Sequence, residues 1–230
     1  MRSCVSHLYL LLAGLALTVR AQPTATGLIP TDTAAAPSGI PAKVDLRPVL
    51  EEFGMAPRVQ GARPTCSVFT VVGAIEFAAA KRQGQTPRLS VEFLNWAANK
   101  TCGDSADGGF FSDLWKGFAA YGICAEGEMG YEPKFDPARQ PSVAALANAK
   151  TRLSLGLELH WIKPWNVKTG LTPEELAAIK RTLASGWPVC SGLRWPKRER
   201  WVEDVLQLCP PEEVRDGHSV LLVGYSDDAN

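Results

Sequence analysis

The sequence predicts an α+β protein with a helical first half, a strand-bearing second half and a cleft between two lobes. Three observations lead there. Residues 64–82 place Val68, Val72, Ile75 and Ala79 on one face of a 3.6-residue period. Ser90 and the Thr172-Pro173-Glu174-Glu175 run are helix-start signals. Short apolar runs at 189–193 and 220–225 follow turn residues, as strands do.

The order along the chain begins with a charged residue, Arg2, an apolar run from Leu8 to Leu17, and Val19-Arg20-Ala21. That is the pattern of a cleaved export signal over 1–21, which would carry Cys4 away with it. A membrane anchor is the alternative, but the run is well short of the ~20 residues that span a bilayer. Residues 22–43 are rich in Pro, Thr, Ala and Gly and read as a flexible linker. The folded domain is expected over 44–230, opening at Val44-Asp45-Leu46-Arg47. An exported protein, periplasmic or extracellular, is the expectation.

The helix over 64–82 also carries Gly73, Ala74, Ala78 and Ala80, so burial on several sides is expected, with Pro64 near its first turn. A helix capped by Ser90 runs through Phe93, Leu94 and Ala97 with Glu92 in its first turn. Ser112 is expected to cap another, bearing Leu114, Phe118 and Tyr121 and ended by Gly122. Further helices are expected over 142–153 and after Thr172, the latter closed by Gly186. Residues 157–162 are a strand candidate, and 220–225 a buried strand.

Composition excludes some functions. The formal net charge is +0 and the pI about 6.8, so no basic field points to nucleic acid or an anionic membrane. The basic, aromatic run from Trp195 to Trp201 reads as an exposed loop. No His-Glu-x-x-His, Cys-x-x-Cys or phosphate-binding glycine loop occurs, so neither a metal nor another cofactor is expected.

The chemistry concentrates in two segments. In Gln60-Gly61-Ala62-Arg63-Pro64-Thr65-Cys66-Ser67 a cysteine opens the predicted buried helix, where unpaired N–H groups and the helix dipole favour a thiolate nucleophile. A buried structural cysteine is the alternative. Gln60 is placed to offer an amide to a developing oxyanion. In Gly217-His218-Ser219-Val220 a histidine leads into an apolar strand, where a neutral imidazole can accept a thiol proton. His160 sits in Glu158-Leu159-His160-Trp161, an ordinary half-exposed strand pattern. His7 lies in the export signal.

These two blocks, in this order, resemble the active-site blocks of the papain family of cysteine peptidases. Their separation is close to the family's roughly 130–150 residues. Val44-Asp45-Leu46-Arg47, Leu89-Ser90-Val91-Glu92-Phe93-Leu94, Asp107-Gly108-Gly109-Phe110, Tyr121-Gly122-Ile123 and Tyr131-Glu132-Pro133 follow the family's sequence of features. The resemblance implies the papain-like two-lobe fold, with Cys66 as nucleophile, His218 as general base and Gln60 in the oxyanion hole. It implies a peptide substrate paired with a glycine wall at Gly108 and Gly109, thioester acyl transfer, and a monomer without stable membrane insertion. A silent homologue that binds peptide or wall material is the alternative, and a transferase on the same scaffold a third.

Departures from the family pattern qualify this. Arg63 stands where a disulfide-forming cysteine is expected, and is read as a solvated surface side chain. Ser67 replaces a tryptophan. Asn230 falls short of the position of the orienting asparagine, so the chain reads as C-terminally incomplete. Residues 22–43 are too few for a helical prosegment. The odd cysteine count leaves Cys66 as the free thiol, with Cys102–Cys124 and Cys190–Cys209 the favoured bridges. Other pairings, or four free thiols, remain open.

Overall fold

The computed structural model describes residues 39–84, 87–164, 166, 169–203 and 205–227. The expected export signal, most of the expected linker and Asn230 lie outside the described residues.

The chain opens on β1 (Lys43–Asp45) and the short helix α1 (Arg47–Glu52). The last residues of the expected linker are tied down. Pro41 O accepts from Tyr225 Oη at 2.7 Å, and Ala42 O from the Asp227 N–H at 2.8 Å. Lys43 already belongs to a strand.

The central helix α2 (Cys66–Gln83) begins two residues after Pro64. Its apolar period is as the sequence predicts, and its small residues let neighbours close in on several sides. Val68 and Val72 are wholly buried and Ile75 nearly so. They pack with Leu94 and Ala98 of α3 (Val91–Cys102) and with Leu114 and Phe118 of α4 (Phe111–Tyr121) in one core. Helices α3 and α4 cross at Gly117, where a Cβ would lie 2.5 Å from the Ala98 nitrogen. No larger residue fits there without parting the helices.

Ser90 caps α3 as expected, accepting from the Phe93 N–H at 2.9 Å. The start of α4 differs from expectation. Phe110 holds the N-cap position in extended conformation, so Ser112 lies inside the first turn and Asp113 is its acidic group. A second core behind α3 joins Phe93, Ala97, Cys124 and Met129 to Ala145 and Ala149 of α5 (Val143–Lys150), capped by Ser142.

In the second half, α6 (Pro173–Ala184) carries the predicted capping box: Thr172 Oγ1 accepts from Glu175 N, and a Glu175 carboxylate oxygen from Thr172 N. Residues 157–162 form no strand, because no described residue pairs with them in a ladder. Leu157 packs on the first core instead, while Leu159 and Trp161 stay exposed. The run expected as one buried strand over 220–225 is divided between two ladders. β5 (Val214–Leu222) pairs antiparallel with β2 (Val189–Pro196), and β6 (Gly224–Ser226) pairs with β1. Its residues are half-buried. A small hairpin of β3 (Trp201–Val202) and β4 (Val205–Leu206) completes the described strands.

Candidate active site

Cys66 is the first residue of α2, half-buried and with its thiol free. The N-cap residue, Thr65, makes no side-chain cap bond, because its hydroxyl is engaged with Tyr131 Oη at 2.7 Å. The first turn of α2 is therefore left without a side-chain acceptor beside Cys66. Thr70, one turn on, donates its hydroxyl to Cys66 O at 2.9 Å.

His218 lies on β5, half-buried, opposite Leu193 on β2. Contacts between β2 and α2 reveal the direction in which this ladder runs. Gly186 O accepts from Lys81 Nζ at 2.8 Å, the Trp187 ring meets Phe77 at 6.1 Å, and the Cys190 thiol faces Thr70 O at 3.7 Å. The strand thus descends α2 from its C-terminal part toward its start. From Thr70, one more turn, about 6 Å, reaches Cys66. From Cys190, three residues, roughly 10 Å, reach the Leu193–His218 pair. Leu221, three residues past His218, touches α2 at Gly73. Leu193 and His218 therefore lie beyond Cys190 and Leu221 in the direction of the start of α2.

Trp195 and Glu199 had no assigned role at the sequence level. The His218 ring packs edge-on against Trp195 at 4.7 Å. Trp195 Nε1 donates to one Glu199 oxygen at 2.8 Å and Trp201 Nε1 to the other at 3.1 Å. Those two bonds, Trp195 first, hold the Glu199 carboxyl below its ordinary value, and His218 adds to the effect. Residues 197–201 are exposed, as expected, while Trp195 and Pro196 belong to β2 and Trp195 covers one edge of the histidine.

The approach to Cys66 is tightly stitched. Gln60 Nε2 donates to Arg63 O at 2.5 Å, and Gln60 O accepts from Tyr131 Oη at 3.0 Å. An amide nitrogen has two hydrogens, so this bond orients Gln60 while leaving a second donor.

Arg63 differs most from expectation. It is buried, at 5% exposure. Its Nη1 donates to Glu92 Oε2 at 2.6 Å and to Glu132 O at 2.7 Å, while Nη2 and Nε donate to Asp107 at 2.8 and 3.0 Å. The guanidinium lies 4.5 Å from the Tyr131 ring centre. Burial works against its charge, but the bonds to Asp107 and Glu92 outweigh that and hold its pKa above the ordinary value. Glu92, expected only as a first-turn acid, is thereby an interior counter-ion.

The two glycines of the expected wall have different surroundings. Gly108 has φ +106°, and a Cβ there would sit 2.4 Å from Pro64 O. It is a packing position that only glycine fills. Gly109 is exposed, with nothing within 4 Å of an added Cβ, and its N–H donates to Ser67 Oγ at 3.3 Å.

Neither favoured disulfide forms. Cys102 is exposed at the end of α3, Cys124 is buried behind it, Cys190 faces α2, and Cys209 lies near the end of an irregular segment. Burial pushes the Cys124 thiol up to about 11 and the Cys190 thiol to about 12. His160 is exposed beside Glu158, away from any strand. Among the described residues, no group of three or more His, Cys, Asp or Glu is placed to hold a metal ion, and no helix is long and apolar enough to cross a membrane.

The helical region around Cys66 and the strand region around His218 make an α+β fold, and its likeness to solved structures shows it to be the papain-like two-lobe fold. Among solved structures, the chain is similar to xylellain, a cysteine protease from Xylella fastidiosa, at 22% identity and TM-score 0.58, over 85% of this chain and 74% of that one. It is also similar to a digestive procathepsin L 3 from the Tenebrio molitor larval midgut, at 20% identity and TM-score 0.56, over 84% of this chain and 58% of that one. No family model matches the sequence, and no curated protein matches it.

Proposed function

We propose that this protein is a cysteine-type peptidase in which Cys66 is the nucleophile and His218 the general base. The observation that carries this is the antiparallel course of β2 along α2, with a register that supports meeting of Leu193 and its partner His218 with the start of α2. The Cys66 thiol gives its proton to His218, and Sγ bonds to the carbonyl carbon of the substrate. The tetrahedral oxyanion is met by the Cys66 backbone N–H and the free hydrogen of the Gln60 amide. The C–N bond then breaks, His218 protonates the departing amine, and a thioester remains. Water, deprotonated by His218, attacks the thioester, releases the acid and restores the thiol. An extended peptide pairs with the exposed backbone of Gly109, whose N–H exchanges its bond to Ser67 Oγ for the peptide, while Gly108 keeps the wall in place. The sequence start supports export over 1–21 to the periplasm or outside the cell, with the folded domain opening on β1 at Lys43.

The test is labelling of the full chain with a peptide vinyl sulfone, followed by mass mapping. Cys66 is expected to react far faster than a model thiol, and His218→Ala to lose that advantage. Reaction at model-thiol speed, unchanged by His218→Ala, overturns the peptidase reading in favour of a silent peptide binder.

A further inference from the structure

Arg63 is three residues from Cys66 and Asp107 is one residue from Gly108, so a bond between them joins the nucleophile's loop to the wall beside it. All five N–H donors of the guanidinium are used: one on Nε and one on Nη2 to Asp107, one on each Nη to Glu92, and the last to Glu132 O. Arg139 Nη1, 3.9 Å from Glu92 Oε2, brings a second positive charge to the two carboxylates. Around this cluster the wall has little freedom. Asn95, fully buried, accepts from Gly108 N at 3.0 Å and donates toward Asp107 at 3.4 Å. Gly108 lies flat against Pro64 O, and Gly109 N–H reaches Ser67 on α2. Four segments converge on one side chain: the Cys66 loop, α3, the glycine wall and residues 131–135.

We infer that Arg63 is a positioning residue: its planar fork, bonded to Asp107 and Glu92, fixes the separation between the Gly109 backbone and Cys66, and so sets where an extended peptide lies relative to the thiol. This rests on the peptidase reading for the peptide, but not for the clamp itself. Lysine keeps the charge and loses the fork, so Arg63→Lys is only a partial substitute. The wall is held by charge and hydrogen bonds, and thiol reductants leave it intact.

Two measurements on the full chain test this. Amide hydrogen exchange at Gly108 and Gly109 is expected to quicken about tenfold or more in Arg63→Met and in Asp107→Asn, with α6 unchanged. Labelling at Cys66 is expected to slow about tenfold for a peptide vinyl sulfone while iodoacetamide, which needs no wall, stays within about twofold, with Arg63→Lys between. Should Arg63→Met fail to fold, Asp107→Asn carries the test, since it keeps a hydrogen-bonding side chain of the same size. Unchanged exchange at both glycines, or equal slowing of the two reagents, overturns the proposal. Quickened exchange alongside a wild-type Cys66 that ignores the peptide reagent supports the clamp and overturns the peptidase reading instead.

Discussion

The region around Cys66 and the region around His218 are built on different terms. In the first, Val68, Phe93, Leu94 and Leu114 are wholly buried, and even the charged groups Arg63, Glu76 and Glu92 are interior and bonded. In the second, nearly every strand residue is half-buried or exposed, with Leu193 at 39% and Trp201 at 53% exposure. The eight-residue β2–β5 ladder with its contacts to α2, the short β1–β6 pair and the β3–β4 hairpin hold it. The contrast places Cys66 in a rigid frame and His218 on the part of the fold that opens more easily.

The strongest way to break that contrast is truncation on each side of it. Phe93→Ala is expected to cost about 3–5 kcal/mol, measured by urea unfolding, whereas Leu193→Ala on the ladder is expected to cost under about 1 kcal/mol. Similar losses at both sites would remove the distinction. Arg63→Met belongs with the large effects, about 3–5 kcal/mol, because Asp107 and Glu92 are left as buried charges without their partner.

Two thiols sharpen the comparison further, since Cys124 reports on the helical region and Cys190 on the ladder. Burial keeps both neutral, at about 11 and about 12. A raised thiol pKa adds stability that is complete below the unfolded value of about 8.5 and is lost as the pH rises from there through those folded values. Unfolding free energy is therefore expected to fall above about pH 9, less steeply in Cys190→Ala. In urea well below the unfolding midpoint, alkylation of Cys190 is expected to precede that of Cys124; simultaneous labelling would show one cooperative unit. The smallest expected effect is Thr172→Ala, about 1 kcal/mol, from loss of the capping box on α6.

Local chemistry made much of this legible in the sequence. The course of α2, the Ser90 and Thr172 caps and the Gly122 stop are decided within a few residues, by period, cap and turn. Those signals survive folding because neighbouring backbone groups satisfy them. The start of α4 was missed because the extended backbone of Phe110, not a capping side chain, sets it. The failed strand at 157–162 is a different case. A strand exists only when another pairs with it, and no local pattern shows whether one arrives.

The candidate site divides in the same way. Cys66 at a helix start and His218 just before an apolar run are sequence features, although the strand begins earlier than expected, at Val214, and holds His218 in its middle. The course of their two elements past one another is tertiary, fixed by the β2–β5 register and the contacts of Cys190 and Leu221 with the helix. So is the burial of Arg63. Nothing beside it in the chain tells an arginine that Glu92 and Asp107 will fold around it, and alone it would remain in water. The sequence by itself determined which residues could do chemistry and which elements carry them. Only the tertiary structure decided which charges leave solvent together, because the cost of desolvating a charge is met by partners distant in the chain.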